Sequence, residues 1–281
     1  MTSSRQNSVH NISKINDSYI IRAVARAAHV LELLRTSDGG ATLNDVAAGT
    51  GLAKASAFRM LRTLERTGLV ERVQHSDVYR LGVRCLELGQ AYLEQTDLRR
   101  EALPILRDLK ERFNETVHLA VLDDQLRVVY LEKLQTTHPV GLMMSRVGKT
   151  APSHCTGLGK ALLGAVEGDP ADALADMGAL RSYTPNTLTD FAALKEELGG
   201  IRARGFALDL EEHEPGVRCV AAAIPGTRDP VAAISIAGPA PRMPEGKLKG
   251  ELARAVMDAA DEISRRVGAA RKVVRHAHPR R

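Results

Sequence analysis

The chain has no tryptophan, and aromatic residues make up only 3% of its 281 positions. Its cores must therefore be built from Ala, Val, Leu and Ile, a composition that suits helices. Cysteine is equally scarce. Cys85, Cys155 and Cys219 lie far apart without C-x-x-C spacing, and an odd number cannot all pair within one chain, so reduced thiols are expected. No apolar run approaches the roughly 18 residues of a membrane span, and Met1 to Ser18 is polar with no apolar signal segment. The expectation is a cytoplasmic protein with no membrane partner. The hydrophobic fraction of 44% and charged fraction of 26% are those of a folded globular chain, which excludes disordered and fibrous classes. The length is about twice that of a typical domain, which favours two. A net charge of +5 and a pI near 9.2 permit a nucleic-acid partner without identifying one.

The first 17 residues are rich in Ser and Asn and read as a flexible arm. From Ser18, Ile20, Val24, Ala27, Leu31 and Leu34 recur at steps of three and four, an amphipathic helix that stops at Ser37-Asp38-Gly39-Gly40. Thr42-Leu43-Asn44-Asp45 has the pattern of a capping box and opens a two-turn helix ending at Ala48, before Gly49-Thr50-Gly51. A third helix spans about 53–67, with Gly68 supplying the left-handed residue that ends it. Two β-type runs, Leu69–Val73 and Val78–Leu81, make a small hairpin. That order is a winged helix-turn-helix. A linker helix, apolar at Val83, Leu86 and Ala91, leads into a mixed region. There, helices over about 98–113, 156–166, 191–204 and 245–267 alternate with strands over 116–122, 127–134, 140–145, 206–210, 218–224 and 232–236. The domains implied are an arm at 1–17, a DNA-binding unit at 18–82, a linker helix at 83–97, a second domain at 98–268 and a basic tail at 269–281, carrying Arg271, Lys272, Arg275, Arg280 and Arg281.

On the third helix Ala57, Met60, Leu61 and Leu64 fall at i, i+3, i+4 and i+7 and pack inward, which turns Lys54, Ser56, Phe58, Arg59 and Arg62 outward. A helix fits the major groove, where Arg bonds guanine O6 and N7 as a bidentate pair and Ser reaches base edges or phosphate. Arg59 is the leading candidate reader. On an arbitrary basic helix such residues are a solvated face; the capped short helix, glycine-bearing turn and following hairpin favour the reading face here. Phe58 either touches a thymine methyl or packs beneath the wing. Arg72 and Arg80 in the hairpin are either phosphate contacts or plain surface charge.

The run from Gly51 to Leu61, continuing through Leu64-Glu65 and Gly68-Leu69-Val70, resembles the recognition-helix signature of the IclR family of bacterial transcriptional regulators. So do Glu115 to Ala120, Val147-Gly148-Lys149 with Ala151-Pro152, His154 to Leu162, Glu211-Glu212-His213, Gly216 to Ala222 and Ala233 to Pro239, in order and spacing. The resemblance covers about residues 18 to 267. It implies an α+β protein with an N-terminal winged helix-turn-helix and a C-terminal GAF-like α/β effector-binding domain, which binds double-stranded operator DNA as a homodimer or dimer of dimers and usually represses. Ala53, Ala55 and Phe58 stand where the family often has Pro or Ser, Ser, and His, so its base preference does not transfer.

Thr156 can cap the helix that follows it, leaving the first-turn N–H groups of Gly157, Leu158 and Gly159 toward an approaching anion such as a carboxylate. The alternative for Gly157 and Gly159 is tight helix packing. The resemblance implies backbone contacts to a small effector from Gly157 and Leu158, polar contacts from Asp209, Cys219 and Ser235, and an apolar wall of Val140, Met143 and Val217. Ala237 stands where some relatives place a second Ser. No cofactor is implied.

A rival enzyme reading gathers His154, Cys155, Glu211, Glu212, His213 and Cys219 as metal ligands or a Cys–His nucleophile. Their spacing is poor for either. Cys155 reads more simply as buried packing and Glu211-Glu212-His213 as a solvated turn, so no metal site or catalytic residue is expected. A sensor acting on a protein partner instead of DNA is disfavoured by the basic third helix.

Overall fold

The computed structural model describes residues 20–138, 145–226 and 232–277, with side chains to 268, and the chain divides into two compact units between Gln95 and Thr96. The expected arm and residues 140–144 of the strand expected at 140–145, Val140 and Met143 among them, lie outside the described residues.

In the first unit α1 (Arg22–Thr36), α2 (Leu43–Thr50) and α3 (Lys54–Arg66) enclose a core of Val30, Leu34, Val46, Ala57, Leu61, Leu64 and Val70. The stripe expected on α1 is only half right. Ile20 and Val24 are exposed, because α1 meets the other helices only from Ala27 onward, and Val30 is the side chain it buries completely. The capping box on α2 forms as expected: the Thr42 hydroxyl accepts from the Asp45 N–H at 3.2 Å, and an Asp45 carboxylate oxygen accepts from the Thr42 N–H at 2.9 Å. Hydrogen bonds from Thr42 hold the Asp45 carboxyl below its ordinary value. The α2 helix runs to Thr50 and stops at Gly51, whose φ of +66° is the left-handed turn that redirects the chain into α3. The hairpin strands β2 (Val70–Arg72) and β3 (Val78–Leu81) are joined by β1 (Ala41–Thr42), giving an antiparallel order β1-β3-β2. Two residues carry no period, so β1 was not legible. Next comes α4 (Val83–Gln95), which buries none of its residues. Val83 and Leu86, expected to form its apolar face, are exposed.

The second unit is built on a six-stranded antiparallel sheet. Its strands are β4 (Thr116–Leu122), β5 (Val128–Leu134), β6 (Thr150–Ala151), β7 (Ala207–Leu210), β8 (Val217–Ala223) and β9 (Ala232–Pro239), in the order β6-β5-β4-β9-β8-β7. Side chains alternate faces along each strand, and the two faces differ in bulk. One carries Val117, Leu119, Val121, Val220, Ile234 and Ile236, where α5 (Asp97–Phe113) and the C-terminal helix α10 (Ala253–Ala277) pack. The other carries Ala120, Cys219, Ala221, Ala233, Ser235 and Ala237, and against it lies α6 (Gly157–Ala165), with α8 (Phe191–Arg204) packed on α6 and α7 (Pro170–Met177) on α8. The chain enters α10 through a one-turn helix α9 (Glu245–Lys247) and a π turn (Leu248–Leu252). The sequence reading ends this helix at Val267 and begins a tail. The backbone instead stays helical to Ala277, since after Gly268 the first strong helix breaker is Pro279.

A bidentate ion pair ties the start of β4 to the end of β9, the two central strands of the sheet. Arg242, in the 3-10 turn after β9, donates to both Glu115 carboxylate oxygens at 2.7 and 2.9 Å, and Glu115 at the start of β4 is 2% exposed. Arg242→Ala strands that carboxylate, and a loss of about 2–3 kcal/mol is expected, reduced from a fully buried pair because Arg242 itself is part-exposed. Urea unfolding checks this; a change under about 0.5 kcal/mol would show that water replaces the arginine without penalty.

Candidate functional site

The α3 surface carries the expected groups outward. Lys54, Phe58, Arg59 and Arg62 are exposed and Ser56 is half-buried, while Ala57, Leu61 and Leu64 are buried and Met60 packs on the core from its edge. Phe58 is 47% exposed and joins no core, so it does not pack beneath the wing. Arg62 is held by Glu65 at 2.8 Å one turn on, whereas among the described residues neither Lys54 nor Arg59 has an ion-pair partner. In the hairpin, Arg72 pairs with Asp77 across the turn, and Arg80 donates to Glu71 directly opposite it at 2.5 Å. Both arginines remain about half exposed and able to exchange those partners.

In the second unit Gly157, Leu158, Asp209, Val217, Cys219 and Ser235 line one cavity of about 240 Å³, room for a small organic molecule. The sheet alternation explains why they meet. Asp209 on β7, Cys219 on β8 and Ser235 on β9 all project from the small-residue face, and so do His118 on β4 and Tyr130 on β5. The N-terminus of α6 closes the cavity from above. Thr156 caps it, accepting from the Gly159 N–H at 3.1 Å and donating to the Pro152 carbonyl at 2.8 Å. The two glycines answer to packing as well. A Cβ on Gly157 would stand 2.9 Å from Cys219 Sγ, and one on Gly159 only 2.3 Å from Ser153 Cα, so no larger residue lets α6 sit this close. Gly157 lines the cavity; Gly159 does not.

His118 is the polar group the sequence reading missed. It is buried, its two ring nitrogens within hydrogen-bond distance of Ser235 Oγ at 3.2 Å and Ser145 Oγ at 2.9 Å, and burial lowers its pKa to about 3, with Lys133 adding to the effect. The ring is therefore neutral, a relay between two hydroxyls. Its signal was present in the Glu115 to Ala120 run, at the even position of a strand whose odd positions are aliphatic. Tyr130, Ser145, Lys149, Thr150, His213 and Glu214 also line the cavity.

Asp209 is 6% exposed, and burial lifts its pKa to about 7, against an N–H donated by Glu212 to its Oδ1 at 2.8 Å. Behind it, on the same side of the sheet, Lys160 of α6 is buried and bonded to Glu212 at 2.5 Å, with Glu197 at 3.8 Å. Glu212 is thus part of the interior, which corrects the solvated-turn expectation. Thr184 and Thr187 bond the Glu212 carbonyl, and Lys160 draws its side chain inward; His213, next to it, faces the cavity. Only Glu211, paired with Arg218, behaves as surface.

For the enzyme alternative the geometry is unfavourable. Burial pushes the Cys155 and Cys219 thiols far up, so neither is a thiolate nucleophile, and it lowers the His154 and His213 rings. Among the described residues no three His, Cys, Asp or Glu side chains gather as metal ligands, and no helix is long and apolar enough to cross a membrane.

A winged helix-turn-helix whose third helix presents unpaired basic groups is the build of a protein that reads duplex DNA. A family model for the IclR helix-turn-helix domain matches residues 23–74, and one for the C-terminal domain of the bacterial transcriptional regulator IclR matches residues 90–265. The transcriptional repressor IclR of Escherichia coli K12 is 33% identical over 253 residues, which is 89% of this chain and 92% of that one. The glycerol operon regulatory protein of Streptomyces coelicolor is 37% identical over 259 residues, 89% and 98% of the two chains. An IclR homologue from Microbacterium hydrocarbonoxydans, solved in complex with 4-hydroxybenzoate, superposes with a TM-score of 0.71 and 26% identity over 88% of this chain and 99% of that one. The chain belongs to the IclR family: it is a DNA-binding transcriptional regulator.

The Asp209 shift has a consequence for stability. Because the folded state holds this carboxyl above its ordinary value of 3.8, at about 7, its protonated form contributes stability that is complete below about pH 4 and is lost as pH rises to 7. Asp209→Asn mimics the protonated acid, so relative to wild type it should gain stability steadily between pH 4.5 and 7.5. Urea midpoints across that range measure it; parallel curves for the two proteins would contradict a buried, uncompensated Asp209.

Proposed function

We propose that this regulator, a repressor in the cytoplasm, binds operator DNA as a dimer through α3 and that a small organic acid in the sheet-domain cavity modulates that binding. The observation that carries the effector half is convergence. Six residues from four separate stretches of sequence, Gly157, Leu158, Asp209, Val217, Cys219 and Ser235, line one small cavity whose roof is a helix N-terminus. First-turn N–H groups favour an anion, and the structural neighbour from Microbacterium hydrocarbonoxydans holds an aromatic hydroxy acid. For the DNA half, the support is the outward set Lys54, Ser56, Phe58, Arg59 and Arg62, with Arg72 and Arg80 at the wing for phosphates. Dimerisation is supported by apolar surface in the same unit: Ile20, Ile21 and Val24 at α1, and Val83, Leu86, Leu88 and Tyr92 on α4, are all exposed. A second copy would cover them, as reading of paired half-sites requires.

Arg59→Ala is expected to weaken operator binding roughly 10- to 100-fold and to relax preference at one base position, as loss of a bidentate guanine contact does. Arg80→Ala should weaken all sequences alike and lower the salt-dependence slope by about one. Titration of operator and scrambled duplexes at several salt concentrations separates the two. Unchanged affinity for Arg59→Ala with an intact fold removes it from the reading set, and a sequence-selective loss for Arg80→Ala exchanges the two roles.

A further inference from the structure

The acid-binding cavity contains an acid of its own. Asp209 lines it from β7, and its hydrogen bonds from the protein come from backbone N–H groups alone, that of Glu212 at 2.8 Å and that of His213. Among the described residues no cation bonds it. Lys160, which acts on it from α6, is already engaged by Glu212 and Glu197. The groups facing Asp209 from β8, β5 and the loop before α6 are the Cys219 thiol, the Tyr130 phenol and the Cys155 thiol, all held neutral by burial. From the loop after β7 come Glu212, His213 and Glu214, and of these the His213 ring is also held neutral by burial. An arriving carboxylate therefore meets helix N–H groups on one side and the Asp209 carboxyl on the other, with Lys149 between β5 and β6, the neutral His118 ring and the Ser145 hydroxyl on the remaining wall. Among the described residues Lys149 forms no ion pair with Asp209. Two carboxylates cannot lie side by side in such a site without a proton between them.

We infer, on the basis of the acid-effector reading above, that the cavity holds one proton for each acid it binds, Asp209 and the ligand carboxylate sharing it, and draws that proton from solvent wherever the free Asp209 is ionised. The balance is simple: the Asp209 carboxylate, the ligand carboxylate and one proton from solvent give an Asp209 carboxyl whose O–H donates to the ligand's oxygen, and no other bond changes. Asp209 then acts as a selectivity residue. It favours ligands with an acceptor oxygen at that point, and it links occupancy to pH. The free site's Asp209, held at about 7 by burial, is already protonated below that pH, so affinity is flat there. Above it, affinity falls by up to about tenfold per pH unit, because each binding event must recruit a proton.

The test is calorimetry on the full-length protein with benzoate, 4-hydroxybenzoate and acetate, beside their methyl esters, at about pH 6, 7 and 8.5. Each titration is run in two buffers of different ionisation enthalpy. The expected result at pH 8.5 is uptake of close to one proton per acid bound and none per ester, with the acids weakening at least tenfold between pH 7 and 8.5. In Asp209→Asn, uptake vanishes and the affinity profile becomes flat. Acid binding to wild type without proton uptake overturns the inference alone, as does a pH slope that survives in Asp209→Asn, which would move the proton to His213. If none of the acids binds at any pH, the acid-effector reading fails and this inference falls with it.

Discussion

The sheet domain depends on how closely α6 can approach β8. Gly157 lies against the Cys219 side chain and Gly159 against the backbone of Ser153, contacts that leave no room for a methyl group. This seating brings a helix N-terminus to the sheet while the alanines, cysteine and serine beneath it keep that face shallow, and the cavity is the space left over. The opposite face, filled by Ile, Leu and Val under α5 and α10, supplies close-packed apolar core. One sheet thus separates a close-packed side from the side that holds the cavity. Polar groups on the binding side are tolerated because they bond one another: His118 spans two serines, and Lys160 meets Glu212.

The DNA-binding unit follows the same economy with fewer residues. A small core of Val30, Val46, Leu61 and Leu64 orients α3, a capping box and a left-handed glycine fix the turn before it, and the basic groups are left outside. Communication between ligand and operator follows from linkage: an acid in the cavity changes operator affinity only to the extent that it binds one state of the protein better than another. The exposed apolar residues of α1 and α4 belong to the unit that holds the recognition helix; in the proposed dimer, a change of state there would alter the spacing of paired helices.

Much of this was legible in the residues. The third helix announced itself through the i, i+3, i+4, i+7 spacing of Ala57, Met60, Leu61 and Leu64, and the α2 cap through Thr42 and Asp45. Where the sequence misled, the cause was tertiary. Ile20 and Val24 continue the period of α1 beyond the point where anything packs on it, so apolar spacing alone overstated that core. The α7 helix carries its own signal in Asp169-Pro170, a cap followed by the residue favoured at the first helical position, although the sequence reading assigns no element there. Glu212 looked like a turn residue because its partner, Lys160, stands 52 positions away in sequence. His118 stands at an even position among aliphatic odd ones, but the strand is buried on both faces, so its spacing alone does not say that the face it takes borders a cavity.

The central claim is that the small-residue face of the sheet is the sensing site and that operator contact lies elsewhere. Filling the cavity tests this most directly. Ala237→Leu adds three carbons on the cavity wall while leaving every polar side chain and the DNA-binding unit unsubstituted. Operator affinity should be measured for this variant and for wild type, with and without a saturating acid that shifts the wild type. The account predicts that the variant binds operator as wild type does in the absence of the acid and no longer responds to it. A full response from a folded Ala237→Leu variant would place the sensing site outside this cavity and contradict the account.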